Sequence, residues 1–259
     1  MKNFDNSNMV LFLFFAAVVV VSGCIQNSST NLNSDFELDY EHSDIDSSGL
    51  ELYENSMSEI ENTTYSVKTD NKMAMNLLVI SLSVNMSSEG VFEKDSSEIN
   101  SSGTLDLGLG DKSNSTTFNT NVKTSENGTV ITTDGNRTQT QKYTREKLGV
   151  SLEALKDIKV NNASVLGVTQ LNGEENILLE LEVNSSDLMT NSEHIFEVHS
   201  PVQESVEDGQ EMNQIKSFNK SKAYLWIDGD SQIPSKFAYY GSANQDALQV
   251  RSVTEYSQN

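Results

Sequence analysis

The side chain with the most distinctive chemistry is a lone thiol. Cys24 is the only cysteine and closes the tetrapeptide Val21-Ser22-Gly23-Cys24. An aliphatic residue, two small residues and then Cys suit a peptidase that cuts before the cysteine, whose thiol then carries a lipid. The apolar run at residues 9–21 would span about 20 Å as a helix. A hydrocarbon layer is ~30 Å thick, so an export signal fits the run better than a membrane-spanning helix. Residues 1–23 are therefore read as a signal peptide and Cys24 as a lipidation site. With one cysteine no internal disulfide can form, and an exported domain must be held by its core.

The second chemistry is that of the amide acceptors. Asn-x-Ser/Thr sequons occur at Asn27, Asn62, Asn85, Asn100, Asn114, Asn127, Asn136, Asn162, Asn184 and Asn219. Behind an export signal they suggest a glycosylated outer surface. Together with the lipidation signal and the acidity of the chain, they fit an archaeal envelope better than a bacterial one.

The remaining reactive groups form no recognisable site. His42, His194 and His199 lack metal-ligand spacing and are read as surface histidines, so no metal is expected. In Gly108-Leu109-Gly110-Asp111-Lys112-Ser113, Asp111 stands where a phosphate loop needs Gly and would repel phosphate. Ser217-Phe218-Asn219-Lys220 matches S-x-x-K without the companion signatures of serine acylases. Asp228-Gly229-Asp230 lacks the later ligands of a calcium loop and reads as a hairpin turn. No catalytic residue and no cofactor is expected, and the chain is not read as an enzyme. A formal net charge of -21 argues against nucleic acid and against anionic lipid headgroups as partners. A salty medium would screen such a surface.

The elements follow from the period of the apolar residues. Residues 24–48 are polar and aperiodic and read as a flexible tether. As a coil its reach would be ~25–30 Å. Leu50, Tyr53, Met57 and Ile60 form one stripe and predict a helix over 49–62, with Ser48 and Glu51 at capping-box spacing. From Tyr65 the period becomes two, through Val67, Thr69, Asn71, Met73 and Met75. Further strands are predicted over 77–92, around Leu105, Leu107 and Leu109, and over 115–124 and 128–133. These middle strands are so polar that one face must be wet. Residues 141–158 read as partly helical, with Ser151 a cap. A hairpin turns at Asn172-Gly173. Residues 184–218 read as an acidic insertion with one or two short helices. The last strands are predicted over 222–228, 235–242 and 247–256. In the first of these, Ala223, Leu225 and Ile227 make one face apolar, and Tyr224 and Trp226 the other. Something must cover both sides: helices on one, an internal cavity on the other.

This pattern resembles the LolA/LppX/LprG-like lipoprotein-carrier superfamily. The resemblance rests on Tyr224-Leu225-Trp226-Ile227-Asp228 followed by Gln232-Ile233-Pro234-Ser235-Lys236-Phe237, and on Tyr65-Ser66-Val67 at the start of the first strand. It covers roughly residues 49–256, mostly as element order. It implies a curved half-barrel whose concave face, closed by helices, holds acyl chains. Leu225, Ile227, Phe237 and Tyr239 then become candidates for the lining, although each serves equally as plain core. The chain departs from the pattern in its polar middle strands.

The expected fold is therefore α+β: a curved antiparallel half-barrel over 49–259 with helices on its concave side. The expected function is that of a lipid-anchored, glycosylated envelope lipoprotein on the outer face of the cell membrane, monomeric, binding a lipid or lipoprotein acyl chain. Met73 and Met75 join the candidate cavity because Met adapts to varied ligands. The alternative is a structural or adhesive surface module with a filled core and no cargo.

Overall fold

A computed structural model describes residues 32–42, 45, 47–60, 64–77, 80–110, 112–125, 128–134, 136–141, 143–200 and 217–258. Residues 1–23, read above as a signal peptide, lie outside the described residues, as do Cys24, Asn27, Asn62 and Asn127. So does 201–216, which holds most of the expected insertion.

Period-two patterning produces eleven described strands: β1 Tyr65–Leu77, β2 Ile80–Phe92, β3 Ser97–Leu109, β4 Lys112–Ser125, β5 Gly128–Thr133, β6 Asn136–Gln141, β7 Val160–Leu171, β8 Glu174–Val183, β9 Lys220–Asp228, β10 Pro234–Ala243 and β11 Leu248–Gln258. They form one antiparallel sheet in the order β6-β5-β4-β3-β2-β1-β11-β10-β9-β8-β7. The sheet does not close, because β6 and β7 are its two edges. Two meanders, β1–β6 and β7–β11, are joined where β1 pairs with β11, Tyr65 opposite Gln258 and Met75 opposite Leu248. Asn172 and Gly173, both at positive φ, make the tight turn between β7 and β8 that the Asn-Gly pair predicts.

Three described helices pack on one face: α1 Gly49–Ser58, α2 Leu152–Lys156 and α3 Ser185–His199. Ser48 Oγ accepts from Glu51 N at 3.1 Å and starts α1. Ser151 Oγ accepts from Ala154 N at 2.9 Å and starts α2. The fold is thus the expected α+β arrangement, with helices over the face that carries the main core.

Three expectations fare differently. Residues 141–158 are partly helical, as expected: Gln141 ends β6, Glu146–Leu148 is a single 3₁₀ turn, and Ser151 caps the five-residue α2. In place of the first part of an acidic insertion stands α3, a 15-residue helix whose Leu188, Met189, Ile195, Phe196 and Val198 enter the core. The third concerns the tether. Its described part, 32–42, lies against the opposite face of the sheet. Leu32 N donates to Gln249 Oε1 at 2.6 Å, and Lys222 Nζ donates to Asp35 at 2.8 Å. Glu41 and Val168 exchange both backbone hydrogen bonds at 2.7 and 2.9 Å. Phe36 and Leu38 cover Leu178, Tyr224, Trp226 and Ala238. The Tyr224 and Trp226 face of the sheet is therefore covered by a strap from the chain itself, a cover the sequence reading does not assign to 24–48. Gly167 lets that strap cross, since a Cβ there would run into the Glu41 carbonyl. The chain then rounds the β7 edge, and Gly49 of α1 packs on the Ala163 backbone.

Candidate functional site

Strand register divides the concave face into three bands. At one end Tyr65 stacks on Phe92, ring centroids 4.9 Å apart, beside Val67, Ile99, Val122 and Tyr256. Tyr65 OH donates to Glu153 Oε2 at 2.6 Å and accepts from Leu152 N at 3.0 Å. Arg145 Nη1 pairs with Glu153 Oε1 at 2.8 Å and its guanidinium lies 5.9 Å from the Phe92 ring. Burial, reinforced by the Glu153 charge, pushes the Tyr65 phenol far up, so it stays a hydrogen-bond donor at any ordinary pH. This end is filled and closed.

The middle band is polar although buried. Thr254 Oγ1 donates to Thr69 Oγ1 at 3.1 Å, and Ser252 Oγ to Asn71 Oδ1 at 2.7 Å. Tyr239 OH meets Ser192 Oγ of α3 at 2.9 Å. His199, fully buried, ends α3 over the same band. Its Nε2–H donates to the Leu148 carbonyl at 3.0 Å, and Nδ1 accepts from Ser101 Oγ at 3.2 Å. The carbonyl can only accept, which fixes this tautomer. Burial holds the imidazole at about 4, well below its ordinary 6.5, so it is neutral near pH 7. His199 had been expected at the surface; it is instead the most enclosed of the three. His194 is half-buried and His42 is exposed.

The third band is apolar and incompletely covered. Register places Met73 beside Val84 and Leu105, Met75 beside Leu82 and Leu107, and Ile80 beside Leu109. Met73, Met75, Ile80, Leu105 and Leu107 are half-buried, and Leu109 is 47% exposed. On the β10–β11 side, Phe218 lies over Gly241, where a Cβ would collide with its ring.

No protein-family model matches the chain, and no curated protein does. Solved structures do resemble it. LprF from Mycobacterium bovis matches at a TM-score of 0.42 and 9% identity, covering 81% of this chain and 91% of that one. The Mycobacterium tuberculosis lipoprotein LppX matches at 0.39 and 11%, covering 80% and 92%. A LolA superfamily protein from Nitrosomonas europaea matches at 0.27 and 11%, covering 82% and 92%. At these values the likeness assigns no residue and no ligand.

The candidate lining residues separate. Leu225, Ile227, Phe237 and Tyr239 are buried in the filled core, with Phe237 and Tyr239 ring centroids 5.6 Å apart. Met73 and Met75 lie in the open apolar band. Ile80, Leu82, Leu105, Leu107 and Leu109 were not singled out with them, although the alternation of the three leucines was visible in the sequence. A concavity of about 950 Å³ lies elsewhere. Its lining is mixed, with Lys68, Glu89, Glu98, Lys123 and Glu255 around Val67 and Val91.

The sequon asparagines are scattered. Asn85, Asn100, Asn114, Asn162 and Asn219 have exposed side chains. Asn184 is half-buried and caps α3, its Oδ1 accepting from Ser186 N at 3.1 Å. Asn136 lies in β6.

Proposed function

We propose that this chain is a lipid-anchored envelope lipoprotein whose domain binds a hydrophobic ligand on the third band of its concave face, with no catalytic step. The single observation behind this reading is that the apolar band of Met73, Met75, Leu105, Leu107 and Leu109 stays partly open while the rest of the concave face is filled. Acyl methylenes laid on that wall would leave water, each fully buried CH₂ contributing about 0.8 kcal/mol. The polar band of Thr69, Asn71, Ser252 and Tyr239 sets how far along the face an acyl chain would run before meeting polar atoms. Cys24 would carry the anchor on the outer face of the cell membrane. The exposed sequons would carry glycans, and the domain would act as a monomer.

A second reading has its own observation. The C-terminal hairpin residues expected to line a cavity are packed solid, as in a surface module without cargo. Native mass spectrometry of the chain purified without detergent, followed by organic extraction and a fluorescent fatty-acid titration, separates the two. Co-purified lipid at fixed stoichiometry, or saturable uptake abolished by Leu107→Glu, supports the ligand-binding reading. An empty protein that takes up no probe would leave the surface module.

A further inference from the structure

Three turns meet at one end of the sheet. Leu77 pairs with Ile80, Ile80 with Leu109, and Leu109 with Lys112, so the β1–β2 and β3–β4 hairpin ends lie side by side. The β10–β11 turn joins them, with Asn76 N donating to the Ala247 carbonyl at 2.7 Å. Leu109 is the most exposed large hydrophobic residue among those described. Continuous with the half-buried Ile80 and Leu107, it forms an apolar edge that an interacting surface could cover.

The strap says which occupant. Leu32 is held at Gln249, opposite Ala74, three residues or about 10 Å short of the Leu77 row. Only eight residue steps separate Leu32 from Cys24, a leash of at most about 28 Å. The opposite end of the sheet begins at Tyr65, nine residues or about 30 Å beyond Ala74. A domain standing on that end would need its leash stretched to full extension. Standing on the Leu109 end needs only a third of that reach.

We propose that the hairpin ends bearing Ile80, Leu107 and Leu109 rest on the bilayer, held in that orientation by the strap 32–42. This rests on the lipid-anchor reading and adds to it an orientation. The open apolar band then meets the membrane directly, and a lipid can pass between bilayer and band without crossing water. A chain of net charge -21 gains nothing from anionic headgroups, so apolar contact with an uncharged or zwitterionic surface carries the seat.

The test uses the full lipid-processed chain in phosphatidylcholine vesicles. Leu109→Cys and Val91→Cys each receive a nitrobenzoxadiazole fluorophore, the native thiol being occupied by its lipid. Val91 is also exposed but sits at the opposite end, paired with Ser66 and Glu98. The label at position 109 should shift to the blue and be quenched several-fold more by shallow nitroxide lipids than the label at 91. A chain that floats with the vesicles while both labels remain equally unquenched overturns the orientation and leaves the anchor standing. A chain that does not float overturns the anchor reading and the seat with it. Fatty-acid uptake in solution reports on the ligand reading separately.

Discussion

His199 shows how one residue can tie helix to sheet. It bridges α3 to Leu148 through Nε2 and to β3 through Ser101, in a site closed to water. The folded protein refuses a proton there until about pH 4, whereas the unfolded chain accepts one near 6.5. Stability is therefore lost as pH falls from about 6.5 to about 4, and this residue removes no more below that. The full difference is worth roughly 3 kcal/mol. Urea midpoints of the wild type and His199→Gln, taken from pH 7 down to 4, test this. The variant should start lower, for want of the Ser101 bond, and lose less on acidification. Parallel curves would show that the imidazole is not the group being titrated.

At the scale of elements, the strap 32–42 decides whether the C-terminal hairpin has a dry outer face. Phe36 meets Tyr224 edge-on at 5.6 Å and receives the Arg251 guanidinium at 4.5 Å. Phe36→Ala should cost about 1–2 kcal/mol. It should also move the emission of Trp226, the chain's one tryptophan, to the red with easier acrylamide quenching. An unchanged spectrum would mean that the strap does not shield the indole. The sequence announced the demand for this cover but not its source. Both faces of the strand around Trp226 are apolar, so a second layer was required. The strap is not an evident source for that layer, because 24–48 looks like polar coil. Its signal is faint: Leu32, Ser34, Phe36 and Leu38 are half-buried and alternate with exposed Asn33, Asp35, Glu37 and Asp39. The helix α3 is longer and more deeply buried than the short helices expected over 184–218, for a related reason. Its buried stripe, Leu188, Ser192, Ile195, His199, has helical spacing, but half of it is polar and bonded to partners distant in sequence. Strands β1, β2 and β7–β11 were legible because their alternation is strong. The open apolar band was only half legible: exposure depends on what α3 leaves uncovered, and no local period records that.

The whole molecule carries 38 acidic and 17 basic residues, and most described ion pairs offset this imbalance weakly. Lys68–Glu89, Lys220–Asp246 and Lys222–Asp35 are largely solvent-exposed, and such pairs are worth at most about 1 kcal/mol each. Among the described pairs, only Arg145–Glu153 is well shielded on both sides. Repulsion spread over the surface should then outweigh attraction at low salt. Raising NaCl from 0.1 to 1 M shortens the screening length from about 10 Å to about 3 Å, weakening both. Because the unpaired acidic charges outnumber the exposed pairs, the net effect on the folded chain is favourable. The thermal midpoint should rise by several degrees, about 2–4 °C for each kcal/mol gained in a domain of this size. Glu153→Gln should lower the midpoint at every salt concentration without changing the slope, since the pair it breaks is shielded from the added ions. A wild-type midpoint that falls with NaCl would mean that specific pairs, and not net repulsion, govern the stability of this surface.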